Sequence, residues 1–262
     1  MICGISASGL TGEKKEHDAW NRATDSRRQS GSSIKPLSVY APAFESGAIT
    51  PATVIKDLPI SYSESGPYPL NDTRSYSYAR TIYRAVVRSV NAVAANTLDK
   101  SGESYAYKFV KDKFRLSTLV ESYEDAGGQI HSDIGVGPLA LGAQTIGVTV
   151  RDMSSAFAAF ANDGLYRSGR TFTKVYDSKG NLIIDNVQEK EQILTKKTVD
   201  YMNYCLTAAT KASPPSRHVP RAHPAGFCAV PSKRRHTFHP TSAKACADRA
   251  VVKALFPKFQ SS

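Results

Sequence analysis

Ser32 and Lys35 stand three residues apart in the run Arg27-Arg28-Gln29-Ser30-Gly31-Ser32-Ser33-Ile34-Lys35-Pro36. At the start of a helix, this S-x-x-K spacing sets a hydroxyl and an amine one turn apart on the same face. A serine that transfers an acyl group needs such a pair, a nucleophile and a base within reach of its proton. Fifty-seven residues on, Ser89-Val90-Asn91 supplies a second polar triplet of the S-x-N type. Neither motif is decisive alone. With this much Ser and Lys, S-x-x-K arises by chance about once or twice in a chain of this length, and an isolated Ser or Asn is more often a turn or cap residue.

Periodicity suggests the elements that carry these groups. After a short apolar start, read as the end of a strand, residues 1–31 are polar and loop-like. A helix is predicted from Ser32, with Ile34, Leu37, Tyr40, Ala41 and Phe44 on its buried side and Gly47 at its end. Pro36 fits the first turn, where its missing N–H has no partner, whereas Pro42 lies deeper and predicts a kink or a shortening. Residues 48–78 are rich in Pro, Ser, Tyr and Gly and read as an extended loop. From Tyr78, the positions of Ile82, Val86 and Val87 predict a helix running to Ser89, and Val93, Ala94, Thr97 and Leu98 predict a second after Asn91. The S-x-N triplet then falls at a helix–helix junction, where side chains can project into a cleft. Thr149 with Asp152 marks a helix start, continued by Met153, Ala156, Phe157 and Phe160 and closed by Gly164. A hairpin is predicted from 171–176 and 182–185 around the turn Asp177-Ser178-Lys179-Gly180. The span 197–210 reads as a last helix with Val199, Met202 and Leu206 facing inward. Lys211 to about Pro240 has no periodicity, and a short helix is predicted over 243–256.

The 262 residues suffice for one large domain or two small ones. No run reaches the length of a membrane span, and no signal peptide is visible at the N-terminus. Four scattered cysteines (Cys3, Cys205, Cys228, Cys246) give no disulfide framework and no C-x-x-C metal pair. The net charge of +11 is unevenly placed. Residues 211–262 hold ten of the 34 Lys and Arg but one acid, Asp248, so residues 1–210 carry 24 basic and 22 acidic side chains. That tail also holds seven of the fourteen prolines and four of the six histidines. The shift marks a boundary near 210/211, and the tail reads as a disordered or frame-shifted stretch. The basic Lys233-Arg234-Arg235 could meet phosphate nonspecifically, but a nearly neutral body argues against a nucleic-acid partner. Cys228, His236, His239 and Cys246 lack the tight spacing of a zinc knuckle, so neither metal nor cofactor is expected.

The words around these motifs resemble the transpeptidase domain of penicillin-binding proteins, in particular the bifunctional, class A type. Asn21-Arg22-Ala23-Thr24 and the run through Ser32 and Lys35 match the family's stretch around its active-site serine. Thr50-Pro51-Ala52-Thr53 with Asp57-Leu58-Pro59 is similar to the segment that follows. Arg88-Ser89-Val90-Asn91 is similar to the second motif, and Leu139-Ala140-Leu141-Gly142 with Gly147-Val148-Thr149 to Phe160-Ala161-Asn162 to a later helical region. The resemblance covers roughly residues 18–210 in the family's order. It implies the helix-rich α/β fold shared by serine β-lactamases and penicillin-binding transpeptidases, incomplete here at the C-terminal sheet strands.

The resemblance further implies that Ser32 attacks the carbonyl of a D-Ala-D-Ala stem peptide of peptidoglycan, with Lys35 as base. Ser89 passes a proton to the leaving nitrogen, and Asn91 binds the substrate's backbone and orients Lys35. β-Lactam antibiotics are then the second class of partner. A D,D-carboxypeptidase, a β-lactamase and a non-catalytic penicillin-binding fragment are the alternatives. The family's third motif, K-T-G or K-S-G on a strand beside the serine, does not follow residue 210. Lys100-Ser101-Gly102 spells it in a helix-to-loop setting and is taken as coincidence. Losing one oxyanion donor of that strand costs about 10²–10³ in rate, so this chain is expected to be impaired. The membrane anchor and glycosyltransferase domain that precede this region in the bifunctional class are not in the sequence. The chain therefore reads as the middle of a longer protein on the outer face of the bacterial cytoplasmic membrane, reaching the membrane only through those preceding regions.

Overall fold

A computed structural model of the chain describes residues 21–170, 172–188 and 190–212. The tail beyond them, the N-terminal strand end, the helix expected over 243–256 and the Cys228/His236/His239/Cys246 set lie outside the described residues.

The centre of the domain is the helical stretch that begins just before Ser32. It opens as a 3₁₀ turn (Gly31–Ile34), widens into a π-helical turn (Pro36–Tyr40) and ends as α1 (Ala41–Glu45). Every residue from Ser33 to Phe44 is buried, so this is a helix wrapped by protein rather than an amphipathic surface helix. The interruption that Pro42 predicts takes the form of the π-turn, in which the Ala41 N–H reaches back to the Pro36 carbonyl.

Helices α3 (Asn91–Ser101) and α6 (Lys196–Ala212) pack against it, and α2 (Ile82–Arg88) packs in turn on both of these. Two aromatic pairs tie α6 down, Phe44 with Tyr201 at 5.4 Å and Tyr83 with Tyr204 at 5.0 Å between ring centroids. As predicted, Val199, Met202 and Leu206 face the core. Helix α4 (Glu103–Lys108) follows Gly102, which ends α3, so Lys100-Ser101-Gly102 is the close of a helix. Helix α5 (Val150–Ala161) starts where Thr149 accepts a hydrogen bond from the Asp152 N–H at 3.1 Å, the cap read from the sequence.

The span 48–78 is not the plain loop its composition suggests. It holds β2 (Val54–Asp57), β3 (Ser61–Ser63) and β4 (Gly66–Tyr68). Strand β2 pairs antiparallel with β5 (Tyr78–Thr81), which occupies the start of the stretch predicted as helix. The β3–β4 hairpin has no buried face, so no apolar alternation betrays it. The described strands pair only two by two. Strand β1 (Arg27–Arg28) pairs with β8 (Val148–Thr149), which brings the residues before Ser32 against the segment 142–147. The predicted hairpin is present as β10 (Lys174–Tyr176) and β11 (Leu182–Asp185).

Candidate active site

The sequence places Lys35 one turn from Ser32, and the helix start confirms that geometry: the Lys35 backbone N–H bonds to the Ser32 carbonyl. Lys35 is nonetheless 1% exposed, a long cationic side chain sunk in the core. Such a group is costly unless it is bonded. Its Nζ donates to the Ser89 carbonyl at 2.9 Å, to Ser89 Oγ at 3.3 Å and to Asn91 Oδ1 at 2.5 Å. Three of the four residues singled out by the two motifs therefore meet at one place, although 54 and 56 residues separate Lys35 from its partners; Ser32 joins them through the helical turn it shares with Lys35. Among the described residues, no carboxylate contributes to this cluster. Burial without a counter-ion pulls the Lys35 amine down to about 7 from its ordinary 10.5.

Ser32 is half-buried, and its hydroxyl is without a hydrogen-bond partner among the described residues. It stands in the first turn of its helix, where backbone N–H groups have no intrahelical acceptor. That combination suits a nucleophile beside a place for a developing oxyanion.

Ser89 closes α2 in the left-handed conformation, φ 52° and ψ 42°, which a side chain adopts at a cost. The strained geometry turns both its carbonyl and its hydroxyl onto Lys35. Ser89→Gly is expected to be more stable than Ser89→Ala by about 1 kcal/mol. Both lose the hydroxyl, but only alanine keeps a Cβ in that conformation. Urea unfolding of the two variants decides it; an alanine variant at least as stable would refute the strain.

Two further groups of residues serve the site and were not singled out as site residues from the sequence. Asn91 Nδ2 donates to the Leu70 carbonyl at 2.7 Å, and the next residue, Asn71, accepts from the Ala92 N–H at 3.0 Å. Asn71 in turn donates to Asp57 Oδ1 at 2.7 Å. Asp57 is fully buried and also accepts from Ser77 and Arg80. Burial pushes its carboxyl up, but the bonds from Ser77, Arg80 and Asn71 outweigh that and hold it below the ordinary value. On the other flank, buried Gln144 holds Ser30 through its N–H and hydroxyl, at 3.0 and 3.1 Å. Gly31 donates to the Gly142 carbonyl at 3.2 Å. Asp57 lies in a segment the resemblance covers; nothing in the sequence marks Asn71 or Gln144, since their partners are remote in the chain. Among the described residues, no three His, Cys, Asp or Glu side chains come together to hold a metal ion.

A family model for the penicillin-binding protein transpeptidase domain matches residues 7–226. The chain belongs to this family. Penicillin-binding protein 1A of Clostridium acetobutylicum is 32% identical to this transpeptidase domain over 202 residues, 72% of this chain and 23% of that protein. Penicillin-binding protein 4 of Bacillus subtilis is 29% identical over 208 residues, 79% of this chain and 31% of that protein. The chain thus spans less than a third of the length of these relatives. Among solved structures, penicillin-binding protein A of Mycobacterium tuberculosis as an imipenem acyl-enzyme complex superposes with a TM-score of 0.61 at 15% identity, covering 77% of this chain and 48% of that one. Penicillin-binding protein 1A of Haemophilus influenzae gives 0.59 at 21% identity, covering 76% and 32%. These likenesses establish the helix-rich transpeptidase fold. Among the described residues, no helix is long and apolar enough to cross a membrane.

Proposed function

We propose that this transpeptidase domain is acylated on Ser32 by the D-Ala-D-Ala end of peptidoglycan stem peptides and by β-lactams, and that it serves cell-wall cross-linking. The observation that carries the reading is the buried Lys35 amine, bonded to Ser89 and Asn91 and one turn from the free hydroxyl of Ser32. An amine lowered to about 7 is half neutral at neutral pH, so it can take the Ser32 proton as the oxygen attacks the carbonyl. Ser89 Oγ, in contact with the same amine, returns a proton to the departing nitrogen. Asn91 orients Lys35 and offers its amide to the substrate backbone. The acyl group then passes to an amine of a second strand, which regenerates Ser32 and leaves a new amide bond.

The span 1–210 is the unit to which this chemistry is assigned, with 211–262 a separate tail; the family match runs to residue 226. Reading the gene across codons 200–262 in all three frames tests that boundary, because a K-[TS]-G in a neighbouring frame would identify the tail as an artefact. The outer face of the cytoplasmic membrane follows from the substrate. A carboxypeptidase would use the same groups with water as acceptor, and a non-catalytic binder would acylate without turning over a D-Ala-D-Ala peptide.

Intact-protein mass spectrometry after prolonged incubation with penicillin G tests the site. Expected is slow addition of one penicillin mass to the parent chain and none to Ser32→Ala. An adduct that persists in Ser32→Ala, or no adduct on a folded parent, overturns the assignment. Rapid stoichiometric acylation would instead show that the absence of the third motif does not impair this chain.

A further inference from the structure

The S-x-N junction is held by a part of the chain that neither motif contains. Val90, at the N-cap of α3, offers no side-chain hydrogen bond, so the first N–H groups of that helix need acceptors from elsewhere. Asn71 supplies one from 21 residues upstream, its Oδ1 taking the Ala92 N–H. The neighbouring Leu70 carbonyl takes the Asn91 Nδ2. This second bond decides which way the Asn91 amide faces. A carbonyl only accepts and a lysine amine mainly donates, so Nδ2 must face Leu70 and Oδ1 must face Lys35.

Asn71 is itself fixed on all sides. It is 6% exposed, and its Nδ2 is shared between Asp57 Oδ1 at 2.7 Å and the Ser75 carbonyl at 3.0 Å. Asp57, 0% exposed at the inward end of β2, accepts in addition from the Ser77 N–H at 3.0 Å, Ser77 Oγ at 2.5 Å and Arg80 Nε at 2.8 Å. A fully bonded buried network of this kind has one geometry, because every alternative leaves a buried group unpaired. The β2–β5 ladder anchors both ends of it, since Asp57 pairs with Tyr78 and Ile55 with Arg80.

We propose that Asn71, fixed by Asp57, is a positioning residue for the Lys35–Asn91 pair: it clamps the first turn of α3 so that the Asn91 oxygen stays on the Lys35 amine. The proposal rests on the reading of Lys35 as the base at Ser32, but its test does not require acylation. Releasing Asn71 leaves the Ala92 N–H and Asp57 short of a partner, and the junction must open to water to satisfy them. Water at the junction relieves the burial that disfavours the Lys35 ammonium.

Protein labelled with carbon-13 at lysine Cε is titrated by NMR, with the Lys35 signal identified by its loss in Lys35→Arg. Expected is a parent midpoint of about 7, as burial dictates. In Asn71→Ala and in Asn71→Asp the midpoint should rise by about one pH unit or more. Asn71→Asp sets two carboxylates against each other, and adding Asp57→Asn restores an amide–carboxylate pair. The double variant should bring the midpoint back toward the parent's, a rescue that a merely structural role does not require. A folded Asn71→Ala with an unchanged Lys35 midpoint overturns the proposal, whatever its melting temperature. Should Asn71→Ala not fold, Ser77→Ala removes a single hydroxyl donor to Asp57 and should give a smaller rise; no rise there overturns it equally. A parent that titrates near 7 but never acylates would refute the reaction at Ser32 while leaving this positioning result intact.

Discussion

Lys35→Ala is expected to slow acylation of Ser32 by penicillin about 10²–10⁴-fold, the usual contribution of a positioned general base. Stopped incubations with a fluorescent penicillin, read on gels from the initial slope, measure it against the parent. The parent's rate should itself rise with pH through about 7 and level off above, following the neutral amine. A Lys35→Ala variant that acylates at the parent's rate would remove lysine from the mechanism. Stability carries a separate signature of the same residue. A lysine with a depressed folded-state pKa binds fewer protons folded than unfolded between about 7 and the ordinary 10.5. Parent stability therefore increases with pH across that window. In Lys35→Met, which keeps an unbranched side chain one atom shorter and without charge, that rise should be missing. Urea unfolding at pH values of about 6, 8 and 9.5 separates the two curves. Equal slopes would mean that the amine is hydrated rather than buried.

Gly142→Ala is expected to be the most damaging small substitution near the site, by about 2–5 kcal/mol. A Cβ there would lie 2.0 Å from the Gly31 carbonyl oxygen and 2.4 Å from Gly31 N, and the backbone has φ +78°. The atoms it meets are main chain, which cannot rotate away. Gly31 is the residue before Ser32, so any relief must displace the turn that carries Ser32. Gly31→Ala is the control. Gly31 also has a left-handed φ of +56°, but its Cβ would meet nothing within 4 Å. It should lose only about 1–2 kcal/mol. Urea unfolding of both variants, with penicillin acylation as the second readout, compares a collision with a conformational penalty. Equal losses would show that the two backbones are not in close approach.

Much of the site was legible because its chemistry is local. S-x-x-K is a statement about one helical turn, and that turn is present, with Lys35 bonded through its backbone to Ser32. The Thr149 cap, the hairpin around Asp177 and the inward face of α6 were likewise local patterns. The span 48–78 was illegible for the converse reason. Strand β2 answers to β5 more than twenty residues on, the local β3–β4 hairpin has no buried face, and Pro, Ser and Tyr give no period to count. The helix at Tyr78 was predicted one turn too early because the β5 residues Tyr78–Thr81 pair with β2 before α2 begins.

Residue types and spacing by themselves singled out Ser32 with Lys35 and Ser89 with Asn91 as candidates, and the family resemblance supplied the order that joins them. They could not determine that Lys35 would be buried without a counter-ion, because burial is set by what packs around a helix, not by the helix's own sequence. That environment moves the amine toward neutrality. Nor could they reveal that Asn71 and Asp57 support Asn91, or that Gln144 and Gly142 hold the turn at Gly31. Those contacts join residues from 14 to 114 positions apart. A hydrogen bond needs donor and acceptor within about 3 Å of each other, and only the tertiary fold brings them there.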